Sequence, residues 1–131
     1  MSRTNARKDA FCLLFQRSFV EQEEMNEAKT LFFEENPDID EKDKAFILEN
    51  VNGVLENIEK IDEIINNSAK GWSTSRMAKV DLAILRLSVY EMKFANDAPK
   101  SVIINEAVEL AKKYSSDEAP GFINGILGNL A

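Results

Sequence analysis

The segment from Val80 to Met92, VDLAILRLSVYEM, constrains the fold most strongly, because it is apolar on nearly all sides of a helix. Its apolar residues follow helical spacing and not the alternation of a strand: they include Ala83, Ile84, Leu85, Leu87, Val89 and Met92. A helix that is hydrophobic all round is buried against other elements. We therefore expect this segment to lie in the middle of a helical bundle.

Amphipathic helical patterns precede this segment. A first helix is predicted from Ala6, Ala10, Leu13 and Leu14. A second helix, which ends before Pro37, is predicted from Met25, Ala28, Leu31 and Phe32. Asp40 is expected to cap a long third helix, whose apolar stripe runs from Phe46 to Ile65 and stops in the polar cluster NNSAKG.

The C-terminal half continues the helical pattern. Ser73 or Ser75 is a candidate cap for the central helix, and Ser101 for the amphipathic helix INEAVELAKKY that follows the break at Pro99. A short last helix is predicted from Phe122, Ile123, Ile126 and Leu127. Residues 1–131 are thus expected to form one compact all-α domain of about six or seven helices with short connections.

The residue types present argue against enzyme chemistry and against a bound metal or cofactor. The chain has no histidine and one cysteine, Cys12, so a zinc site of thiolates and imidazoles is excluded. A magnesium or calcium site made of carboxylates alone stays open in principle, but no acidic spacing matches a known metal-binding loop. Its five glycines form neither a GxxxxGK[ST] nor a GxGxxG phosphate-binding motif, and no GxSxG sequence is present. We predict that the protein is not an enzyme and needs no cofactor.

No apolar stretch suggests a membrane segment or a leader peptide. A bilayer span needs roughly 18 apolar residues in a row, and no run approaches that length. The apolar N-terminal stretch is interrupted by Asp9, Gln16 and Arg17, and no small-residue cleavage site follows it. A cytoplasmic location is expected.

Charge is distributed unevenly along the chain. The net charge is −7, but residues 1–20 carry +3 and residues 67–131 carry +1. The acid lies between residues 21 and 66, which hold 15 acidic residues and four lysines. This asymmetry allows a local anionic ligand near the N-terminus while it disfavours indiscriminate binding to polyanions.

Three groups of residues are functional candidates, each with a simpler structural alternative. Arg3, Arg7 and Lys8 near the start of the first helix either bind an anion or form a solvated helix end. Charged residues that interrupt the central region either face a partner or, more in keeping with the pattern, pair internally: Arg76, Asp81, Arg86 and Glu91. A ring and cations near the C-terminus either hold a single-stranded base or form an ordinary half-buried surface: Lys112, Lys113, Tyr114 and Asn124.

Several segments in this order resemble the NusB family of bacterial transcription antitermination factors. They are NARKDAFCLLFQ, WSTSRMAKVDLAILRLSVYEMKF, INEAVELAKKY and FINGIL, with Pro99 between the second and the third. The resemblance runs from Arg3 to Leu127 and is weakest in the acidic middle. It implies an all-helical fold that binds the boxA element of nascent RNA together with ribosomal protein NusE. Such a complex helps RNA polymerase and other Nus factors read through terminators, notably in ribosomal RNA operons.

The resemblance also implies roles for individual residues. The basic start of the family matches Arg3, Arg7 and Lys8, which would contact RNA phosphates, although Thr4 and Asn5 stand where basic residues are common. A second part of the RNA surface would comprise Lys112, Lys113, Tyr114 and Asn124, with Tyr114 stacking on a base. The NusE side would involve Phe15, Arg76 and Asp81.

Two other functions remain open at the level of sequence. The N-terminal basic cluster has fewer cations than is common in the family, so the protein could instead be a helical protein-interaction adaptor that has lost RNA binding. Domains of this family also form the N-terminal part of some RNA cytosine methyltransferases. Because the sequence ends at Ala131 without a cofactor-binding segment, we expect a free-standing factor.

Overall fold

The computed structural model describes residues 3–131, so the first two residues of the predicted domain lie outside the described part. Within it the α-helices are α1 (Arg3–Gln16), α2 (Met25–Glu35), α3 (Glu41–Glu56), α4 (Ile58–Ser68), α5 (Lys79–Tyr90), α6 (Lys100–Tyr114) and α7 (Ala119–Leu130). No residue from 3 to 131 lies in a strand, and no helix of this region is long and apolar enough to cross a membrane. The predicted all-α fold is confirmed.

Helix α5 is the central element of the bundle, as the sequence predicted. It packs against α1, α3, α4, α6 and α7. Ile84, Leu85 and Val89 are completely buried. Burying an aliphatic side chain of this size stabilises the folded state by about 1.5–3 kcal/mol, so these three residues contribute substantially to the stability of the core.

The long helix predicted after Asp40 is two helices, and that prediction was wrong at Asn57. The cap itself is confirmed, because the Asp40 carboxylate accepts a hydrogen bond of 2.8 Å from the backbone N–H of Asp43. Asn57 leaves the helical region with φ −119° and ψ 20°, and its side-chain amide donates to the Gly53 carbonyl at 2.8 Å. An asparagine that hydrogen-bonds its own backbone competes with the helix ladder. Helix α4 restarts at Ile58 and packs against α5.

The predicted serine caps of the central helix were also wrong. Ser73 and Ser75 flank or lie in a 3₁₀ turn (Thr74–Arg76), and their hydroxyls are hydrogen-bonded to each other at 2.9 Å. Helix α5 begins only at Lys79, after Ala78, whose side chain cannot cap it. The serines therefore stabilise a separate turn before the helix.

The connection between α5 and α6 contains a π-helical turn that the sequence pattern does not predict. Helix α5 continues into a π-helical turn (Glu91–Ala95), which ends at Asn96 with a left-handed φ of 52°. Pro99 is the residue before α6, so Ser101, the predicted cap, lies inside the helix. Asparagine tolerates the left-handed conformation better than most residues, which suits it to end this turn.

A close approach between α3 and the end of α5 requires glycine at position 53. A Cβ atom added to Gly53 would overlap the ring of Tyr90. That ring also stacks on Phe94, with centroids 5.7 Å apart and planes tilted by 8°. Tyr90 is therefore held between a helix backbone and a second ring.

We expect Gly53→Ala to destabilise the protein by about 1–3 kcal/mol, because overlap with Tyr90 outweighs a gain in helix propensity of roughly 1 kcal/mol. Gly125→Ala is the matched control, since an added Cβ there meets no atom within 4 Å. The control should stabilise α7. Urea unfolding of the two variants measures the difference, and equal stabilisation by both would contradict the close approach.

Candidate nucleic-acid interface

Arg7 connects three elements through one buried guanidinium group. Its Nε donates to both carboxylate oxygens of Glu91 at 3.0 Å, and its Nη2 lies 2.9 Å from Glu91 Oε1. On the other side, its Nη1 lies 3.4 Å from Oε1 of Glu106. Arg7 is only 5% exposed and Glu91 only 1% exposed. This network fastens α1 to the π-helical turn and to α6.

Burial acts on both members of the Arg7–Glu91 pair. Burial alone would lower the pKa of the Arg7 guanidinium, but the hydrogen bonds and charges of Glu91 and Glu106 outweigh it and raise the pKa. Burial raises the pKa of the Glu91 carboxyl, and the hydrogen bond and charge of Arg7 offset that rise only in part. The carboxylate of Glu91 therefore depends on Arg7 as its counter-charge.

A groove of about 120 Å³ lies between the start of α1 and the C-terminal half of α6. Its walls include Lys8 on one side and Lys113 and Tyr114 on the other, with Arg7 and Glu106 also in contact with it. The Tyr114 ring is 38% exposed and packs on Phe11 with centroids 5.4 Å apart, while the Lys113 ammonium lies 5.4 Å from the Tyr114 centroid. The groove thus combines an accessible ring with two lysines.

The lysines of this region are close to acidic side chains. Lys8 Nζ lies 3.0 Å from Oδ1 of Asp9, and this hydrogen bond raises the pKa of Lys8. Lys112 Nζ lies 3.2 Å from Oε2 of Glu109, and both side chains are more than half exposed. An exposed pair such as Lys112–Glu109 contributes about 0–1 kcal/mol, so a ligand can replace it at little cost. The Lys8–Asp9 pair is less accessible, because the Asp9 side chain is only 12% exposed.

Not every residue predicted for the RNA surface lies in the groove. The Arg3 guanidinium lies over the Phe46 ring, 4.1 Å from its centroid, on the side of α1 that faces α3. Asn124 is in a separate open groove between α6 and α7, beside Asn105 and Pro120. Four of the predicted RNA-binding residues therefore line one groove: Arg7, Lys8, Lys113 and Tyr114. The other three, Arg3, Lys112 and Asn124, lie outside it.

The residues predicted for the protein partner lie in two places. Arg76 and Asp81 line a pocket of about 300 Å³ together with Trp72 and Phe122. Phe15 lies away from this pocket, on α1, in a row of rings that begins at Tyr114 and passes through Phe11. The centroid of the Phe15 ring is 6.3 Å from that of Phe11 and 5.1 Å from that of Phe19. Phe19 ends the row with 64% of its surface exposed.

Asp81 is a buried residue of this pocket. It is 7% exposed, and its Oδ1 accepts a hydrogen bond of 2.6 Å from the hydroxyl of Ser115. Because Ser115 directly follows Tyr114, this bond fixes the end of α6 beside the accessible ring. Asp81 therefore links the pocket to the groove.

Sequence reasoning missed the aromatic residues Trp72 and Phe122. Their rings meet edge to face at 6.2 Å, and the Arg76 guanidinium lies 6.0 Å from the Trp72 centroid. Trp72 is 53% exposed. The available signal was that the only tryptophan of the chain stands in a polar stretch, where burial does not explain it.

The structural alternative of internal pairing holds for two of the four charges in the central region. Arg86 forms two hydrogen bonds with Asp62, at 2.9 and 2.8 Å, and Glu91 pairs with Arg7. Arg76 instead contacts the Trp72 ring. Internal pairing therefore accounts for Arg86 and Glu91, and the role of Arg76 stays a prediction.

A family model described as the NusB family matches residues 4–131. The chain belongs to the NusB family. A transcription antitermination protein NusB from Agathobacter rectalis is 43% identical over 131 residues, which cover both chains completely. The resemblance proposed from the sequence is confirmed over nearly the whole chain.

Solved NusB structures share the fold as well as the sequence. NusB from T. maritima has a TM-score of 0.88 and 34% identity, and the match covers 100% of this chain and 91% of that one. A complex of antitermination factors NusB and NusE with double-stranded RNA matches with a TM-score of 0.88 and 28% identity, over 98% of this chain and 94% of that one.

We expect Glu91→Gln to lower the free energy of unfolding by about 3 kcal/mol, because it removes the main counter-charge of a buried guanidinium. Asp62→Asn is the matched control, since it neutralises the carboxylate of the more exposed Arg86 pair. That change should cost less than Glu91→Gln, because the Arg86–Asp62 pair is more accessible to water than the Arg7–Glu91 pair. Guanidinium chloride unfolding of both variants measures the two costs, and similar values would show that Arg7 needs no particular counter-charge.

Proposed function

We propose that this protein is a transcription antitermination factor that binds boxA-type single-stranded RNA together with ribosomal protein NusE. Family membership supports this function, and a related NusB is known in a complex with NusE and double-stranded RNA. In the proposal, the protein works in the cytoplasm within the transcription elongation complex and supports read-through of ribosomal RNA operons. It acts by binding and not as an enzyme.

The groove between α1 and α6 is the observation that carries the RNA assignment. Single-stranded RNA is held by cations that contact its phosphates and by rings on which its bases stack. Lys8 and Lys113 supply charge on the two walls, and Tyr114 supplies an accessible ring on the same wall as Lys113. These residues are far apart in sequence and meet because α1 and α6 both pack on α5, which brings Phe11 to Tyr114 and Arg7 to Glu106.

The remaining predicted RNA residues have supporting roles in this proposal. Arg3 and Lys112 would contact RNA only outside the groove, because Arg3 lies over Phe46 and Lys112 pairs with Glu109. Asn124 would contact RNA that continues past α6. Arg7 lines the groove, but two carboxylates engage its guanidinium. Its main contribution would be to hold α1 and α6 together.

The NusE surface is proposed at the predicted residues Phe15, Arg76 and Asp81. Phe15 adjoins the exposed Phe19, and an exposed ring of this kind is a typical anchor in protein interfaces. Arg76 lies on the Trp72 ring at the mouth of its pocket, whereas Asp81 is buried beneath and holds Ser115. Asp81 would thus shape the pocket more than touch the partner.

An adaptor without RNA binding is the second candidate. The observation that favours it is the pairing of Lys8 with Asp9 and of Lys112 with Glu109, which reduces the positive charge available to RNA. Relation to the RNA cytosine methyltransferases gains no such support, because the A. rectalis relative covered in full is an antitermination protein.

The test is a titration of boxA-type RNA, with and without NusE, over a series of salt concentrations. We expect salt-weakened binding that NusE strengthens. Lys113→Ala should weaken binding and reduce the salt slope by about 0.7, because one phosphate contact with a single strand is lost. Tyr114→Ala should weaken binding on the order of tenfold with little change in slope, because stacking is not ionic.

Two variants on other surfaces serve as controls. Lys60→Ala removes an exposed lysine from α4, and Phe94→Ala removes an exposed ring beside Tyr90. Both should bind RNA as the wild type does. Binding of NusE without measurable RNA affinity would overturn the RNA assignment and favour the adaptor.

A further inference from the structure

Two carboxylates line the groove that we assign to RNA. Glu106 and Glu109 lie one turn apart on α6 and both contact the groove that Lys8, Lys113 and Tyr114 form. Such positions are unexpected in a site for a polyanion, since a carboxylate next to a phosphate is repulsive. Structural need does not explain Glu109, which is 54% exposed at its side chain and pairs only with its neighbour Lys112 in the ion pairs described.

The carboxylates are oriented by cations and have capacity for a further ligand. Glu106 uses Oε1 in its contact with Arg7, and Glu109 uses Oε2 in its contact with Lys112. Each carboxylate has a second oxygen, and an ionised carboxylate accepts several hydrogen bonds. The groups of RNA that donate hydrogen bonds are the N–H groups on base edges and the 2′-hydroxyls, never the phosphates.

The negative charge of these carboxylates repels the phosphate backbone of an RNA strand, whereas their free acceptor oxygens attract hydrogen-bond donors on its bases. A carboxylate in the groove repels the backbone and competes with it for Arg7 and Lys112. The same carboxylate attracts an amino group on the edge of a base, particularly one that lies beside a base stacked on Tyr114. At these two carboxylates, therefore, the bases of a strand add to its affinity and the phosphates reduce it, whereas the lysines of the groove still attract the phosphates.

We infer that Glu106 and Glu109 determine the selectivity of the groove: they reject a bare phosphate backbone and accept strands whose bases offer amino groups to the carboxylates. The inference rests on the proposed function and extends it from RNA binding to the choice among nucleic acids. It also explains how a groove with several cations avoids other polyanions. A polyanion without base amino groups meets only repulsion from the carboxylates, whereas the boxA-type RNA offsets that repulsion with hydrogen bonds.

The experiment compares two probes of equal length and charge, a boxA-type RNA and an oligonucleotide with the same sugar–phosphate backbone but no bases. Binding of both is measured for the wild type, Glu106→Gln and Glu109→Gln. Glu63→Gln is the matched control, because it removes one negative charge from the exposed surface of α4. Glutamine keeps the size and one acceptor of glutamate but loses its charge.

Each groove variant should bind the abasic probe about fivefold more tightly, the effect of removing one unit charge at contact distance in water. Affinity for the boxA-type RNA should stay constant or fall, so the ratio of the two affinities falls at least fivefold. The control should leave that ratio unchanged. Thermal unfolding identifies any loss of fold in Glu106→Gln, and the exposed Glu109 gives the same test independently.

An equal gain in affinity for both probes would overturn the inference, because the carboxylates would then only repel negative charge and would not distinguish bases. Weaker binding of both probes would overturn it too, since the carboxylates would then only position the groove. Failure of the wild type to bind the boxA-type RNA would instead overturn the proposed function, and with it the inference.

Discussion

The buried guanidinium of Arg7 is the interaction on which the candidate interface depends. It holds Glu91 from the π-helical turn and Glu106 from α6 at the same time, so it connects the first helix to two segments more than 80 residues away. A buried ion pair of this kind contributes more to fixing an arrangement than to net stability, since desolvation offsets much of the attraction. Here the arrangement that it fixes is the spacing between the two walls of the groove.

Two sets of contacts connect the proposed RNA groove to the two proposed partner regions. The Tyr114 ring lies on Phe11, which continues through Phe15 to the exposed Phe19, and the Asp81–Ser115 hydrogen bond holds the other side of the same helix end. A protein that bound near Phe15 or at the pocket above Asp81 would therefore adjoin residues that position Tyr114. These connections give a physical reason why RNA and NusE would bind together. Most of the acidic residues lie in residues 21–66, outside the segments that line the groove.

The sequence predicted those features that depend on local pattern. The central helix, the Asp40 cap and the breaks at Pro37 and Pro99 follow from hydrophobic period and backbone chemistry. The interruption at Asn57 was missed because the apolar stripe continues through it. The burial of Arg7 was missed for a different reason: its spacing from Lys8 is that of any basic helix end, and its partners are distant in the chain. Family resemblance supplied site residues, but only geometry separates Arg7 and Asp81, which are buried, from the accessible Lys113 and Tyr114.

The most direct test of the central claim, that RNA enters between α1 and α6 while NusE binds the adjoining aromatic surface, is a map of amide chemical shifts in isotopically labelled protein. Addition of boxA-type RNA is expected to shift the amides of residues 4–8 and 109–115 and to leave α2 and α4 unchanged. Subsequent addition of NusE is expected to shift residues 15–20 and 72–81. RNA-induced shifts centred on the acidic helices, or on α7 alone, would contradict the account.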